Sequence, residues 1–201
     1  MEIHDFSNDM NFNEENFKSK AEREILRCRP GDWNHACRVV GWVKELGKDR
    51  KDLPFLISAA YIHDIGWRDV LPSEKKITFD ELLKFEKQAN DNSEKFTSAF
   101  LESLEYSPDD IEIVNRLIRA ADEHASNTDD EAVIVDADNL SKLTIDHLKE
   151  KYQPSEWLRM HGMFSEMFPK RIKTEIGKSR FPSLLNDLKI SIEKEFAAKE
   201  N

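Results

Sequence analysis

The chain has 201 residues, enough for one domain with a real core, and its forty acidic against thirty basic residues give a formal charge of −10. That balance argues against non-specific nucleic-acid binding, which needs a basic face to displace counterions. No apolar run approaches the roughly 20 residues of a membrane helix, and the acidic start, Met1-Glu2-Ile3-His4-Asp5, lacks the pattern of a secretory signal, so a cytoplasmic location is expected. Cys28 and Cys37 do not have a metal-knuckle spacing, and two free thiols are expected.

Helical periodicity runs nearly end to end, and alternating strand patterns are absent. Residues 13–29 predict a charged first helix ending at Pro30-Gly31. Asp32 is expected to cap a second helix with Ala36, Val39, Val40 and Val43 inward. Asp52 is expected to cap a third, whose body from Phe55 to Ile62 is apolar on nearly every side, so it must be buried. Residues 66–77 predict a loop. Thr78 with Glu81 predicts a capping box, and a separate helical stretch follows over 93–105. Ser107-Pro108-Asp109-Asp110 is a strong helix start. After a polar loop over 126–130, one helix is predicted over 132–148. Two more follow, the second starting near Pro182, with the aromatic stretch Trp157 to Phe168 read as helix packing. The expected fold class is all-α: a single helical bundle, with core motifs over about 30–145 and C-terminal helices over 154–198 packed on it.

The informative residues are polar groups where burial should forbid them. His63-Asp64 ends the most apolar helix of the chain, and an unpaired buried carboxylate is very costly. His35 lies beside the apolar stripe of the second helix, in register with Val39, Trp42 and Leu46. Asp136-Ala137-Asp138 interrupts the apolar run Val133-Ile134-Val135, and His124 closes the preceding helix. Two imidazoles and two carboxylates on core-facing helices suit one divalent metal such as Mn, Fe, Ni or Mg, with positions left for water and a phosphate oxygen. Asp136 and Asp138, two residues apart on a helix, point about 200° apart, so only one of them can face such a site. Periodicity alone does not choose between them. Arg38, one turn past His35, could clamp a phosphate or pair with an acid between helices; Lys142, one turn past Asp138, has similar standing. His4, His147 and His161 read as surface residues.

The segments His35-Ala36-Cys37-Arg38-Val39, Ala59-Ala60-Tyr61-Ile62-His63-Asp64-Ile65-Gly66, Leu117-Ile118-Arg119-Ala120-Ala121-Asp122-Glu123-His124 and Val135-Asp136-Ala137-Asp138-Asn139-Leu140 together resemble the HD-domain phosphohydrolase superfamily. The resemblance spans about residues 30–145. It implies an all-helical fold, a metal held by His35, His63, Asp64 and Asp138, and hydrolysis of a phosphate ester or anhydride in a small, nucleotide-like substrate. It also implies that Asp64 activates water together with the metal, that Arg38, His124 and Lys142 contact substrate, and that Asp136 accepts hydrogen bonds behind the site. Two departures stand out. Some HD-family nucleotidases carry a water-activating Glu three residues after the Asp, where this chain has Trp67. Dinuclear branches need extra histidines between the second and last motifs, where this chain has only His124, with Glu94 near where another would fall, so a mononuclear site is expected. A metal-dependent oxygenase of the same fold or a non-catalytic nucleotide-binding module are the alternative readings, and a homodimer is left open. Gly177-Lys178-Ser179 resembles the end of a phosphate-binding loop, but Ile172 stands where the upstream glycine is required.

Overall fold

A computed structural model describes residues 12–71, 76 and 78–198. His4 and Pro72 lie outside the described residues. The described residues form an all-helical protein with no strand: α1 (Glu14–Ile25), α2 (Asp32–Leu46), α3 (Leu53–Ile62), a 3-10 turn (Ile65–Trp67), α4 (Phe79–Glu102), α5 (Pro108–Glu123), α6 (Asp129–Ser141), α7 (Ile145–Lys151), α8 (Trp157–Arg171) and α9 (Glu175–Ala197), with a second 3-10 turn before α8. None of these helices is long and apolar enough to cross a membrane.

The third helix is the axis of the fold. Leu56, Ile57, Ala59, Ala60, Tyr61 and Ile62 are all buried, as its all-round apolar sequence requires, and α1, α2, α5 and α6 pack around it. Each large side chain buried there contributes about 1.5–3 kcal/mol. A second apolar cluster, built from Leu148, Trp157, Met160, Phe164, Phe168, Leu188 and Ile192, joins α7, α8 and α9, and Leu140 of α6 carries it toward the first. The aromatics of α8 thus serve packing, with Phe164 and Phe168 stacked 4.6 Å apart.

Several local expectations need correction. The first helix stops at Ile25, which frees residues 26–31 as a connection that carries Arg29 inward. Gly31, in the left-handed conformation, caps α2; Asp32 is its first residue, and its carboxylate accepts from the Arg29 backbone N–H at 2.7 Å. Asp52 stands at the N-cap position of α3 as expected, but its side chain makes no cap hydrogen bond and holds the Arg50 guanidinium at 2.8 and 2.7 Å. The capping box of Thr78 and Glu81 is present, but α4 runs unbroken to Glu102, because the polar stretch Asn90-Asp91-Asn92 contains no helix breaker. The helix predicted over 132–148 is instead split at 142–144, where the Thr144 side chain accepts from the His147 N–H and starts α7 in a new direction. Thr174, not Pro182, marks the start of α9; Pro182 lies inside it on the exposed face, where water can satisfy the carbonyl that lost its donor.

Gly66 shows how tightly the turn after α3 is seated. A Cβ there would meet the Ala89 carbonyl oxygen at 2.3 Å and the Ser93 Cα at 3.1 Å, so α4 lies directly against this backbone. The Asn92 side-chain amide donates to the Gly66 carbonyl across the same contact.

Candidate metal centre

Three elements deliver the central groups. His35 comes from the first turns of α2, His63 and Asp64 from the end of α3, and Asp138 from α6; all four are buried. His35, His63 and Asp64 offer ligand atoms within 4.8 Å of one another, a group that could hold a metal ion. The Asp138 carboxylate joins them: its Oδ1 lies 3.1 Å from His35 Nε2 and 3.7 Å from His63 Nε2. Asp136 points away, as the helical geometry demands. It accepts from the Lys173 N–H at 2.9 Å, the Thr174 N–H at 2.7 Å and the Thr174 hydroxyl at 2.6 Å, tying the turn between α8 and α9 to α6.

The hydrogen bonds behind the imidazoles fix their tautomers. His63 Nδ1 lies 2.9 Å from the Ala60 carbonyl, which can only accept, so the His63 proton sits on Nδ1. The Ser141 hydroxyl donates to the Asp138 carbonyl oxygen at 2.8 Å, leaving its oxygen to accept from His35 Nδ1 at 3.1 Å. Burial holds His35 well below the ordinary histidine range, at about 4, so it is neutral at pH 7. In these neutral tautomers both Nε2 atoms present lone pairs, and they face each other at 3.1 Å. Asp64 Oδ2, buried and without a hydrogen-bond donor, lies 3.7 Å from His63 Nε2. Four acceptors converge with no proton among them to share. A cation is the group that satisfies such a set.

The outer oxygens of both carboxylates are already held. Arg29 contacts Asp64 Oδ1 at 2.7 Å, and Lys142 contacts Asp138 Oδ2 at 2.6 Å. Burial pushes the Asp138 carboxyl up, but the adjacent Lys142 ammonium outweighs it and holds the group well below the usual carboxylate range. Arg29 also stacks on Trp67, its guanidinium 4.0 Å from the ring centroid, and pairs with Asp32. Trp67 thus supports an arginine. Lys151 of α7, buried, pairs with Asp32 and lies 3.9 Å from Asp64 Oδ2.

Of the residues expected to contact substrate, Lys142 lies beside the centre. His124 caps α5 in the left-handed conformation (φ 53°) and is close enough for Lys142 and Asp138 to act on it. Burial, with repulsion from Lys142, holds it near pH 4. Arg38 is engaged elsewhere, its guanidinium 2.7 Å from Glu150 of α7. The surface reading of His147 is wrong. The break at 142–144 folds α7 back so that His147 is buried with its ring centroid 5.1 Å from that of His35. His161 is half-buried, with Nε2 3.2 Å from the Leu185 carbonyl. Arg29, Lys151, Asp32 and Asp122 also belong to the neighbourhood and were not singled out from sequence. Asp32, Lys151 and Asp122 stand at or next to a helix end and Arg29 just before one, and that placement is the only sequence signal they share. Cys28 and Cys37 are free, and burial pushes the Cys28 thiol up to about 12.

No family model matches the sequence, and no curated protein or solved structure matches it significantly. The functional reading therefore rests on the residues themselves.

Proposed function

We propose that this protein is a metal-dependent phosphohydrolase acting on a phosphate ester or anhydride of a nucleotide-like small molecule. The observation that carries this reading is the convergence of two imidazole lone pairs and two carboxylate oxygens, with each histidine's proton committed to the opposite side of its ring. His35, His63, Asp64 and Asp138 would hold one divalent ion, which supplies Lewis acidity toward a phosphoryl oxygen and lowers the pKa of water. Arg29 and Lys142 keep one oxygen of each carboxylate occupied, so each carboxylate has a single oxygen left to offer. The Lys142 ammonium stands at the edge of the centre, where it can meet a phosphate oxygen without deprotonation. The neutral His124 imidazole can accept or donate one hydrogen bond from the same side. With Trp67 at the glutamate position, the reading favours a pyrophosphohydrolase or general phosphohydrolase over the nucleotidase type that uses that glutamate.

Elemental analysis of the purified protein is expected to find about one divalent metal per chain, given the four-ligand set. A screen of phosphorylated metabolites should then release phosphate or pyrophosphate from at least one nucleotide. Asp64→Ala should remove both metal and turnover while the helical circular dichroism stays intact. Turnover unchanged in Asp64→Ala would sink the assignment.

A further inference from the structure

Next to the metal centre, α4 and α5 enclose a cavity of about 180 Å³ whose walls include Ser93, Asn115, Ile118, Arg119 and Asp122. Two features make it a built site. Ser93 and Asn115 are each only 6 % exposed; Asn115 Oδ1 has no hydrogen-bond partner, its amide nitrogen being fixed on Ser98 at 3.0 Å, and the Ser93 hydroxyl turns to the Asp122 carboxyl, which leaves its oxygen free to accept. Leaving the Asn115 oxygen unpaired costs about 1–3 kcal/mol, so the cavity calls for a donor. Its titratable lining is mostly acidic, with Asp91, Glu94, Asp122 and Glu123 against Arg119, which itself leans on Glu94 at 3.3 Å. That composition repels phosphate and favours a neutral or cationic group with N–H donors.

Two contacts relate the cavity to the metal centre. Gly66, two residues after Asp64, is pressed against Ser93 of α4, and the Asp122 carboxyl is close enough to Asp64, His63 and Asp138 for their charges to act on it. A cavity of about 150 Å³ accommodates one benzene ring, so this one has room for a single six-membered ring beside the phosphate position. Three hydrogen-bonding groups face such a ring: the Ser93 hydroxyl, the Asn115 carbonyl and the Asp122 carboxyl.

We propose that the cleft between α4 and α5 is the base-binding part of the substrate site and takes an amino-pyrimidine, the cytosine type of ring. This rests on the phosphohydrolase reading for the orientation of the substrate, with its phosphates at the metal and its base between the helices. The exocyclic amine has two hydrogens for the Asn115 and Ser93 oxygens, and the ring edge beside it pairs with Asp122. Burial raises the Asp122 carboxyl above the ordinary carboxylate range, which favours the form that can donate as well as accept. Uracil places a carbonyl where the amine should be and leaves the two acceptors facing a third.

The test uses the full chain with Mg²⁺ and two readouts. In protein-observed NMR, millimolar cytidine should shift amides of α4 and α5, with uridine binding at least about ten-fold more weakly. Ser93→Ala, a mild variant, should weaken cytidine about 2- to 12-fold, the equivalent of one hydrogen bond, and leave uridine unchanged. In turnover assays, kcat/KM should favour cytidine over uridine phosphates by the same order, and Asn115→Leu should erase the preference. Cytidine binding with no turnover of any nucleotide would overturn the hydrolase reading while keeping the cleft. Turnover that ignores the base, with no nucleoside shifting α4 or α5, would show that the cleft holds water only and overturn the proposal. Tighter binding of adenosine than of cytidine would overturn it equally.

Discussion

The two sides of α6 bury the same chemical group in opposite surroundings. On one side Asp136 faces the turn between α8 and α9 and receives three donors, two backbone N–H groups and the Thr174 hydroxyl. On the other side Asp138 faces His35 and His63, whose lone pairs point at it, and Lys142 holds only its outer oxygen. The first carboxylate is fully used in holding the fold together. The second belongs to a set of inward-facing acceptors with no donor among them. Burial is common to both residues, so burial does not distinguish a structural acid from a functional one; the balance of donors and acceptors around it does.

Exchanging each carboxylate for an amide should separate the two roles. Asp138→Asn should produce the largest effect: a loss of metal affinity exceeding the 10- to 100-fold typical of residues behind a metal ligand, with little change in thermal midpoint. Titrating metal into the apo variant measures it. Retention of wild-type affinity would show that the two sides of α6 have been assigned the wrong way round.

On the opposite side, Asp136→Asn should keep the metal and cost about 2–3 kcal/mol of stability, because an amide nitrogen replaces one of the oxygens that now accept from backbone N–H groups. Urea unfolding of metal-free protein provides the number. Metal loss without destabilisation in this variant would contradict the comparison just as directly.

Gly177→Ala is a milder probe of the same corner. The new methyl would meet Asp136 Oδ2 at 2.6 Å and Thr174 Oγ1 at 2.8 Å, so the turn must shift, at about 1–3 kcal/mol. Metal content should not move. A thermal midpoint equal to wild type would mean that the corner yields more readily than its packing suggests.

The smallest effect is one of pH. His124 protonates near pH 4 in the fold but near pH 6.5 when unfolded, so the unfolded chain binds the extra proton first as pH falls. Its contribution is therefore a loss of stability between about pH 6.5 and 4, worth about 2 kcal/mol once partial exposure is allowed for. Asp122, raised to about 7, acts in the opposite direction over much of the same range, so the comparison must be with a variant. His124→Asn, which tolerates the left-handed cap, should lose less stability between pH 7 and 5 than the wild type does. Parallel pH curves for the two proteins would remove the histidine from the acid response.

How much of this was legible in the sequence follows from which interactions are local. The buried third helix, the capping box at Thr78 and the start at Ser107 depend on neighbours within one turn, and the structure contains all three. The opposition of Asp136 and Asp138 also follows from helix geometry, although which one meets the histidines depended on the resemblance. The inward fold of α7 was not legible, because periodicity continues across 142–144 and only the Thr144 cap marks the break. His147 was misplaced for that reason. Arg29 and Lys151 come from segments 122 residues apart in sequence and meet at Asp32, and no local pattern announces such a meeting.

The grip of Arg29 and Lys142 on the outer oxygens has an electrostatic consequence. Each ligand carboxylate is already neutralised by its own basic partner, so an incoming dication finds no net negative charge left to cancel its own. Once loaded, the centre becomes a locally positive well inside a chain of charge −10. Field lines from a buried dication are weakly screened by the low-dielectric walls around it, whereas the acidic surface is screened by salt within about 10 Å at 0.1 M ionic strength. A small polyanion would then be repelled at long range and captured at short range. Raising the salt should speed its arrival at the site, the reverse of what a basic protein shows toward the same ligand.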